Sequence, residues 1–470
     1  MLKGRKIGTA LRVGCAVALL LPRFVVAQFV YEQLHSFTAI PERGFYPLVF
    51  SGGQTIMEAS DGALYGTTEN NGSTFGSALY QISKDGTGFT NLFFFPYSPN
   101  APPVEGTNGA LYGTTRDGGA VFTQFQLITN MGTVYRINKD GSGFSVILNF
   151  GDYTTGSVPL APLIRASDGA LYGTTYGGSS MFKISEDGTF AQLHFYTYTN
   201  YNAPSGPMIE GNDGILYGTA GSLVFKLNKD GSGYGVVLNG AITGGGGQPS
   251  LMQASNGFLY GTSYSGGSNA SGTIFKLNKD GSQYAILHEF VGTNVHAFMG
   301  TNGDGARPLG AMVEGRDGIL YGTTTGGGDY SADTFWGAGT VFKINKDGSG
   351  YAVVHRFGLN EGEGPNGLTL GSDGSLYGTT VAGAGVASFG TVFALRQQPV
   401  ILPPIYWGTG VTLHFSALPG STNQVRRVND LAASWVTLTS IIAPTNAVAV
   451  FVDPNPPRPN AFYRIVGMRP

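Results

Sequence analysis

Cysteine is all but absent from this chain: its 470 residues include one, Cys15. A lone thiol excludes an internal disulfide framework and a cysteine-built metal site. Charge is scarce too. Only 12% of residues are charged, against roughly 25% in ordinary soluble domains. The formal net charge of −2 provides no field to recruit nucleic acid or anionic membrane. Long apolar runs are also missing. The stretch from Val13 to Leu21 is too short to cross a bilayer. Lys3, Arg5, Lys6 and Arg12 precede or flank it, and Val25-Val26-Ala27 follows, so residues 1–27 read as a secretory signal cleaved before Gln28. Cys15 leaves with that segment. The mature protein is expected outside the cell or at its surface, without membrane insertion.

Glycine, by contrast, is abundant, with 75 residues, and 24 prolines accompany it. Such a composition coexisting with 12% aromatics and regular apolar runs points to turn-rich β-structure rather than disorder. The decisive feature is a repeat. Leu-Tyr-Gly-Thr occurs seven times, beginning at Leu64, Leu111, Leu171, Leu216, Leu259, Leu320 and Leu376, in steps of 43 to 61 residues. An Asp-Gly or Asn-Gly pair precedes each copy, as in Asp61-Gly62 and Asn108-Gly109. Such pairs supply the positive φ angles of tight hairpins. A short apolar run lies before the pair, which makes one hairpin per repeat.

A second hairpin follows. Its first strand reads Gly339-Thr340-Val341-Phe342-Lys343-Ile344, and its turn Asn345-Lys346-Asp347-Gly348-Ser349-Gly350. The returning strand carries an aromatic, an aliphatic three residues on, and an aromatic three further, as in Phe144/Ile147/Phe150 and Tyr351/Val354/Phe357. Four strands per repeat make one blade of a β-propeller, and seven repeats make seven blades. The count has one gap. The last repeat lacks its fourth strand, and Tyr31/Leu34/Phe37 near the start has the same spacing. We therefore expect an all-β, seven-bladed propeller over residues 28–397, closed by an N-terminal outer strand so that no sheet edge stays open. Pro399, Pro403 and Pro404 mark an expected linker at 398–404. Alternating segments beyond it predict a small β-sandwich over 405–470.

From Asp317 to Phe357 the chain reads Asp-Gly-x-Leu-Tyr-Gly-Thr-Thr, a Gly-Gly loop, Gly-Thr-Val-Phe-Lys-Ile-Asn-Lys-Asp-Gly-Ser-Gly, then an aromatic-ended strand. This pattern resembles the GloVer tandem-repeat family of secreted bacterial proteins, and the resemblance spans roughly residues 31 to 396. It implies export, and a fold of propeller-like repeats with varied C-terminal attachment modules. It implies no established reaction. The C-terminal part resembles small fibronectin-type β-modules.

Three groups of residues invite chemistry. His35, His194, His288 and His355 share one position of the fourth strand. Equivalent positions in different blades lie on a ring and point apart, so packing between blades is expected rather than a metal site. The Lys-Asp-Gly-Ser turns are read as hairpins rather than calcium loops, which need more oxygen ligands in alternation. Glu58, Glu105, Glu210 and Glu314 share one position of the first strand. With that strand innermost they form a partial acidic ring at the channel, able to hold a cation or polar ligand. The competing expectation is hydrogen bonding to neighbouring loop amides.

The loops carry the informative asymmetry. The turns within each hairpin are short and uniform, whereas the other connections vary and emerge together on the opposite face. They carry Phe122, Phe125, His296, Phe298, Arg307, Tyr330, Asp333, Phe335 and Trp336, which do not recur. Variable loops on a rigid scaffold are where binding residues concentrate. The expectation is a monomeric, non-catalytic propeller binding an extracellular glycan or protein through this face, with no cofactor and no metal. The alternatives are a carbohydrate lyase or hydrolase using loop carboxylates among Asp304, Asp329, Asp333, Glu361 and Glu363, and a structural envelope or matrix protein.

Overall fold

A computed structural model describes residues 28–38, 56–68, 77–99, 101–122, 127–151, 155–178, 180–195, 204, 206–240, 250–291, 304–328, 337–358, 360–382, 388–398, 400–401, 405–407, 410–416, 422–428, 436–442, 448–454 and 462–467. Among them every regular element is a strand. Seven four-stranded antiparallel sheets form the blades of a propeller. In blades one to six the strands pair in chain order; blade one holds Ile56–Glu58, Leu64–Thr68, Ser77–Ile82 and Thr90–Phe95.

Blade seven is assembled from both ends of the repeat region. Glu363–Leu370, Leu376–Ala382 and Ser388–Gln398 supply three strands, and Gln28–Thr38 supplies the outer one. The outer strand pairs from Gln28↔Gln398 to Thr38↔Ser388. The ring is closed by a strand from the other end of the chain, as the missing fourth strand predicts.

Local chemistry explains the repeated words. In the Asp-Gly hairpin the aspartate Oδ1 accepts the N–H two residues on, and its Oδ2 accepts the hydroxyl of the repeat tyrosine, as in Tyr65 to Asp61 at 2.7 Å. Asn108 and Asn256 do the same work in reverse, each donating from Nδ2 to its tyrosine hydroxyl. The glycine of Leu-Tyr-Gly-Thr lies under the ring of the third strand's aromatic. A Cβ on Gly322 would fall 2.5 Å from the Phe342 ring, and one on Gly113 would fall 2.3 Å from the Tyr135 hydroxyl. The threonine that follows reaches the next blade: Thr67 donates to the Ala101 carbonyl at 3.1 Å and Thr262 to that of Gly310 at 3.2 Å.

The fourth strand's three-residue spacing has a physical cause. Side chains three apart on a regular strand point to opposite faces. Each fourth strand carries a β-bulge, and the extra residue is the aliphatic of the pattern: Ile147 in blade two, Leu287 in blade five, Val354 in blade six and Leu34 in blade seven. The bulge adds one residue and returns the second aromatic to the core face. Phe150, Phe290 and Phe357 are accordingly buried. Each apolar cluster of the propeller joins two neighbouring blades, so its core is a ring of blade-to-blade seams.

Two local expectations need correction. Val400 and Ile401 pair with Ser416 and Phe415 of the C-terminal part, so the joining stretch is shorter than 398–404. The segment after the second strand of blade two is not merely a loop: Ala120–Phe122 and Leu127–Thr129 pair as a small hairpin. In the C-terminal part, one sheet is built around Gly410–Ser416 and another around Thr422–Val428. They share an apolar cluster that includes Leu413, Phe415 and Val425.

Candidate binding face and central channel

The short inner strands converge on the propeller axis. They leave a cavity of about 300 Å³, lined by residues of blades one to six and by the connections entering them. The side chains that line it are apolar with one exception. They include Met57, Val104, Ile164, Met208, Ile209, Met252 and Met312, and Gln253 is the polar one. Pro102, Pro103, Pro162 and Pro207 line it as well, just before the inner strands begin. By topology that end is the one where blade-to-blade connections arrive, which is the variable-loop face. In the sequence the channel's apolar character shows as Met57, Val104 and Ile209, each just before an inner-strand acid.

The glutamates lie at the other end of the inner strands and are tied down pairwise between blades. Ser60, in the hairpin of blade one, donates its N–H and its hydroxyl to the two oxygens of Glu105, both at 2.7 Å. Lys139 from the outer turn of blade two bridges the same carboxylate and the Ser60 hydroxyl. The arrangement recurs with Glu58, Ser372 and Lys84, with Glu210, Ser167 and Lys229, and with Glu314, Ser255 and Lys346. Partial burial pushes the carboxyls of Glu105, Glu210 and Glu314 up, but the lysine and serine contacts outweigh it and hold them below the ordinary value. Each acidic charge is therefore met by a lysine and by a neighbouring loop amide.

Three blades vary this clasp, blade seven by carrying Leu370 at the acid's position. In blade five Gln253 replaces the acid and accepts the Asn212 N–H at 2.7 Å. In blade three the polarity is exchanged. Arg165 stands at the acid's position, and Glu186 stands where other blades have lysine. Glu186 then accepts the backbone N–H and the hydroxyl of Thr107. The carboxylate that the preceding hairpin requires arrives from the outer turn instead of the inner strand. Arg316 occupies the serine position of blade six and donates to the Ser372 carbonyl of blade seven.

The four histidines lie at blade seams. His35 stacks on Phe89 at 3.7 Å, His194 on Tyr234 at 3.9 Å, His288 on Tyr351 at 3.7 Å and His355 on Tyr31 at 4.5 Å. In every case the partner is the first aromatic of the fourth-strand pattern in the following blade. Burial holds the His194 imidazole below its ordinary value. His355 also meets Glu361 at 3.1 Å, and His288 meets Asp304 at 3.5 Å. Tyr31 donates its hydroxyl to the Glu361 carbonyl at 2.8 Å, and Tyr351 donates to that of Asp304. Among the described residues no group of three His, Cys, Asp or Glu side chains is placed to hold a metal ion. The hairpin turns use their aspartates locally: Asp140 accepts the N–H and hydroxyl of Ser142 at 2.9 and 2.6 Å.

On the loop face, Arg307 is half-buried, has a φ of 58°, and lies 5.3 Å over the ring of Tyr264. Its N–H donates to Ser271 at 2.7 Å, and its carbonyl accepts the Thr325 N–H at 3.1 Å. Phe122 lies in the small hairpin, paired with Leu127. Phe125, His296, Phe298, Asp329, Tyr330, Asp333, Phe335 and Trp336 lie outside the described residues. Glu363 begins the inner strand of blade seven, and burial pushes its carboxyl above the ordinary value.

The Gloeobacter/Verrucomicrobia repeat matches residues 51–223, and the remaining blades carry the same words. Residues 51–223 thus carry the Gloeobacter/Verrucomicrobia repeat, within a ring of seven blades. No curated protein matches it in sequence. Among solved structures it is similar to virginiamycin B lyase from Staphylococcus aureus, at 14% identity and a TM-score of 0.53, covering 78% of this chain and 99% of that one. An oligogalacturonate lyase from Vibrio parahaemolyticus aligns at 12% identity and a TM-score of 0.47, covering 78% of this chain and 97% of that one. At such identity the first likeness speaks for the propeller fold of these repeats alone.

Proposed function

We propose that this repeat propeller is a binding protein that works outside the cell, taking an extracellular glycan or protein on its variable-loop face without transforming it. The observation that carries this reading is the difference between the two faces. The hairpin face is spent on internal clasps: in four repeats the acid, serine and lysine satisfy one another across the seams. The loop face carries connections whose residues do not recur, and a rigid ring holding variable loops is the usual arrangement of a recognition surface. Aromatics such as Phe335 and Trp336 suit the apolar face of a sugar or a protein patch. The test is a glycan array and a pull-down with the mature chain, compared with a Phe335→Ala, Trp336→Ala double variant. Selective binding that is lost in the variant is expected. Binding that survives in the variant would remove these loops from the site.

A carbohydrate lyase or hydrolase is the second reading. It draws on Glu363, whose burial-raised carboxyl has the character a general acid requires. Turnover of a polysaccharide that vanishes in Glu363→Gln would favour it.

A further inference from the structure

We propose that the central channel is itself a binding site, for a slender, uncharged apolar group such as a medium-length alkyl chain. The inference does not rest on the loop face recognising a glycan or a protein.

Size is the first argument. The cavity of about 300 Å³ has room for on the order of ten waters, and each buried water needs two to four polar partners. The lining side chains offer few, since Gln253 is alone among them in being polar. Water held there is poorly bonded, and displacing such water with an apolar group is favourable.

The kind of side chain is the second argument. Met57, Met208, Met252 and Met312 all border the space, four of the chain's nine methionines. Unbranched thioethers adapt their shape to an apolar guest better than branched side chains do. Met208 and Met312 are anchored in the blade seams, whereas Met57 and Met252 are only half-buried.

Charge and access are the third. The prolines Pro103, Pro162 and Pro207 form a stiff collar where the inner strands begin, at the loop-face end. At the far end Glu58, Glu105, Glu210 and Glu314 are each met by a lysine. A charged guest would lose its hydration without gaining a partner in the lining. An uncharged chain entering through the collar meets side chains that are apolar apart from Gln253.

The experiment titrates the full mature chain with 1-alkanols from 1-butanol to 1-decanol by calorimetry. Each added methylene is expected to tighten binding about fourfold until the channel is full, after which affinity levels off. An alkylammonium of equal length is expected to bind at least about tenfold more weakly. Met252→Lys is expected to abolish alkanol binding and Met252→Leu to retain it, with circular dichroism confirming the fold of both. If Met252→Lys does not fold, Met57→Lys on another blade gives the same readout. Absence of saturable binding, affinity that rises with length without levelling, or binding unchanged by the lysine variants would overturn the proposal.

Discussion

Truncating Phe37 to alanine tests whether the N-terminal strand is part of the ring or an ornament on it. Phe37 is 1% exposed. It packs edge-on to Tyr80 of blade one at 5.4 Å and to His35 at 4.9 Å, so it fills the seam between blade seven and blade one. Its counterpart Phe150 in blade two is equally buried at 1% and meets Phe182 of blade three at 5.3 Å. Removing a fully buried phenylalanine costs about 3–5 kcal/mol, from lost transfer energy and from the cavity left behind. Because the two seams are built alike, Phe37→Ala and Phe150→Ala should fall in that range together. The assay is urea unfolding followed by near-ultraviolet circular dichroism of the tyrosines. Tryptophan fluorescence is unsuitable, because Trp407 and Trp435, two of the three tryptophans, lie in the C-terminal part. If Phe150→Ala costs 3 kcal/mol or more while Phe37→Ala costs under about 1 kcal/mol, the closing strand carries no seam and the reasoning fails.

The exchanged clasp of blade three makes a double-mutant prediction. Glu186→Lys alone deprives the Thr107 N–H of its acceptor and should cost about 1 kcal/mol, whereas adding Arg165→Glu rebuilds the arrangement of the other blades and should recover most of it. Equal destabilisation by the single and double variants in urea melts would contradict the exchange. Acid should loosen the seams. The folded-state values of Glu105, Glu210 and Glu314 lie below the ordinary 4.5, so the stability they add is complete above that pH and is lost as pH falls through the depressed values. Unfolding midpoints measured from pH 6 to pH 3 should drop below about pH 4.5, and a Glu105→Gln, Glu210→Gln, Glu314→Gln variant should show a flatter acid limb. A wild-type midpoint that holds steady to pH 3 would rule out the clasps as a source of stability.

The blade count and the closure were legible because they are written in contiguous words. Each Asp-Gly-x-Leu-Tyr-Gly-Thr hairpin bonds within itself, from Asp61 to Tyr65 for example, so local sequence suffices to find it. The unpaired Tyr31/Leu34/Phe37 pattern exposed the closing strand for the same reason. The three-residue spacing could be seen but not explained, since the bulge at Ile147 or Val354 appears only when two strands are set in register. What lay beyond reach depended on seams. Nothing near Glu105 in the chain announces that Ser60 and Lys139 complete it. Nor does Arg165 reveal that Glu186 has taken over the acid's task. The histidines were placed at the seams by ring geometry, yet their stacking partners come from the next blade and had no local signal. The channel was missed because its walls come from six separate inner strands, each only a few residues long.

The shared seventh blade also sets an order of events. Glu32 and Arg396 meet although they lie 364 residues apart in sequence. A chain growing from its N-terminus makes the strand Gln28–Thr38 first and its partner Ser388–Gln398 after all the other blades. Throughout that interval an early strand waits with its hydrogen-bonding groups unpaired, the condition in which one chain can join the edge of another. Contacts so distant in sequence form slowly, because the entropy of closing so large a loop must be met first. Pairing the two ends satisfies the waiting strand and covers the Ser388–Gln398 edge in one step, and the hazard for this protein lies in the time before its ends meet.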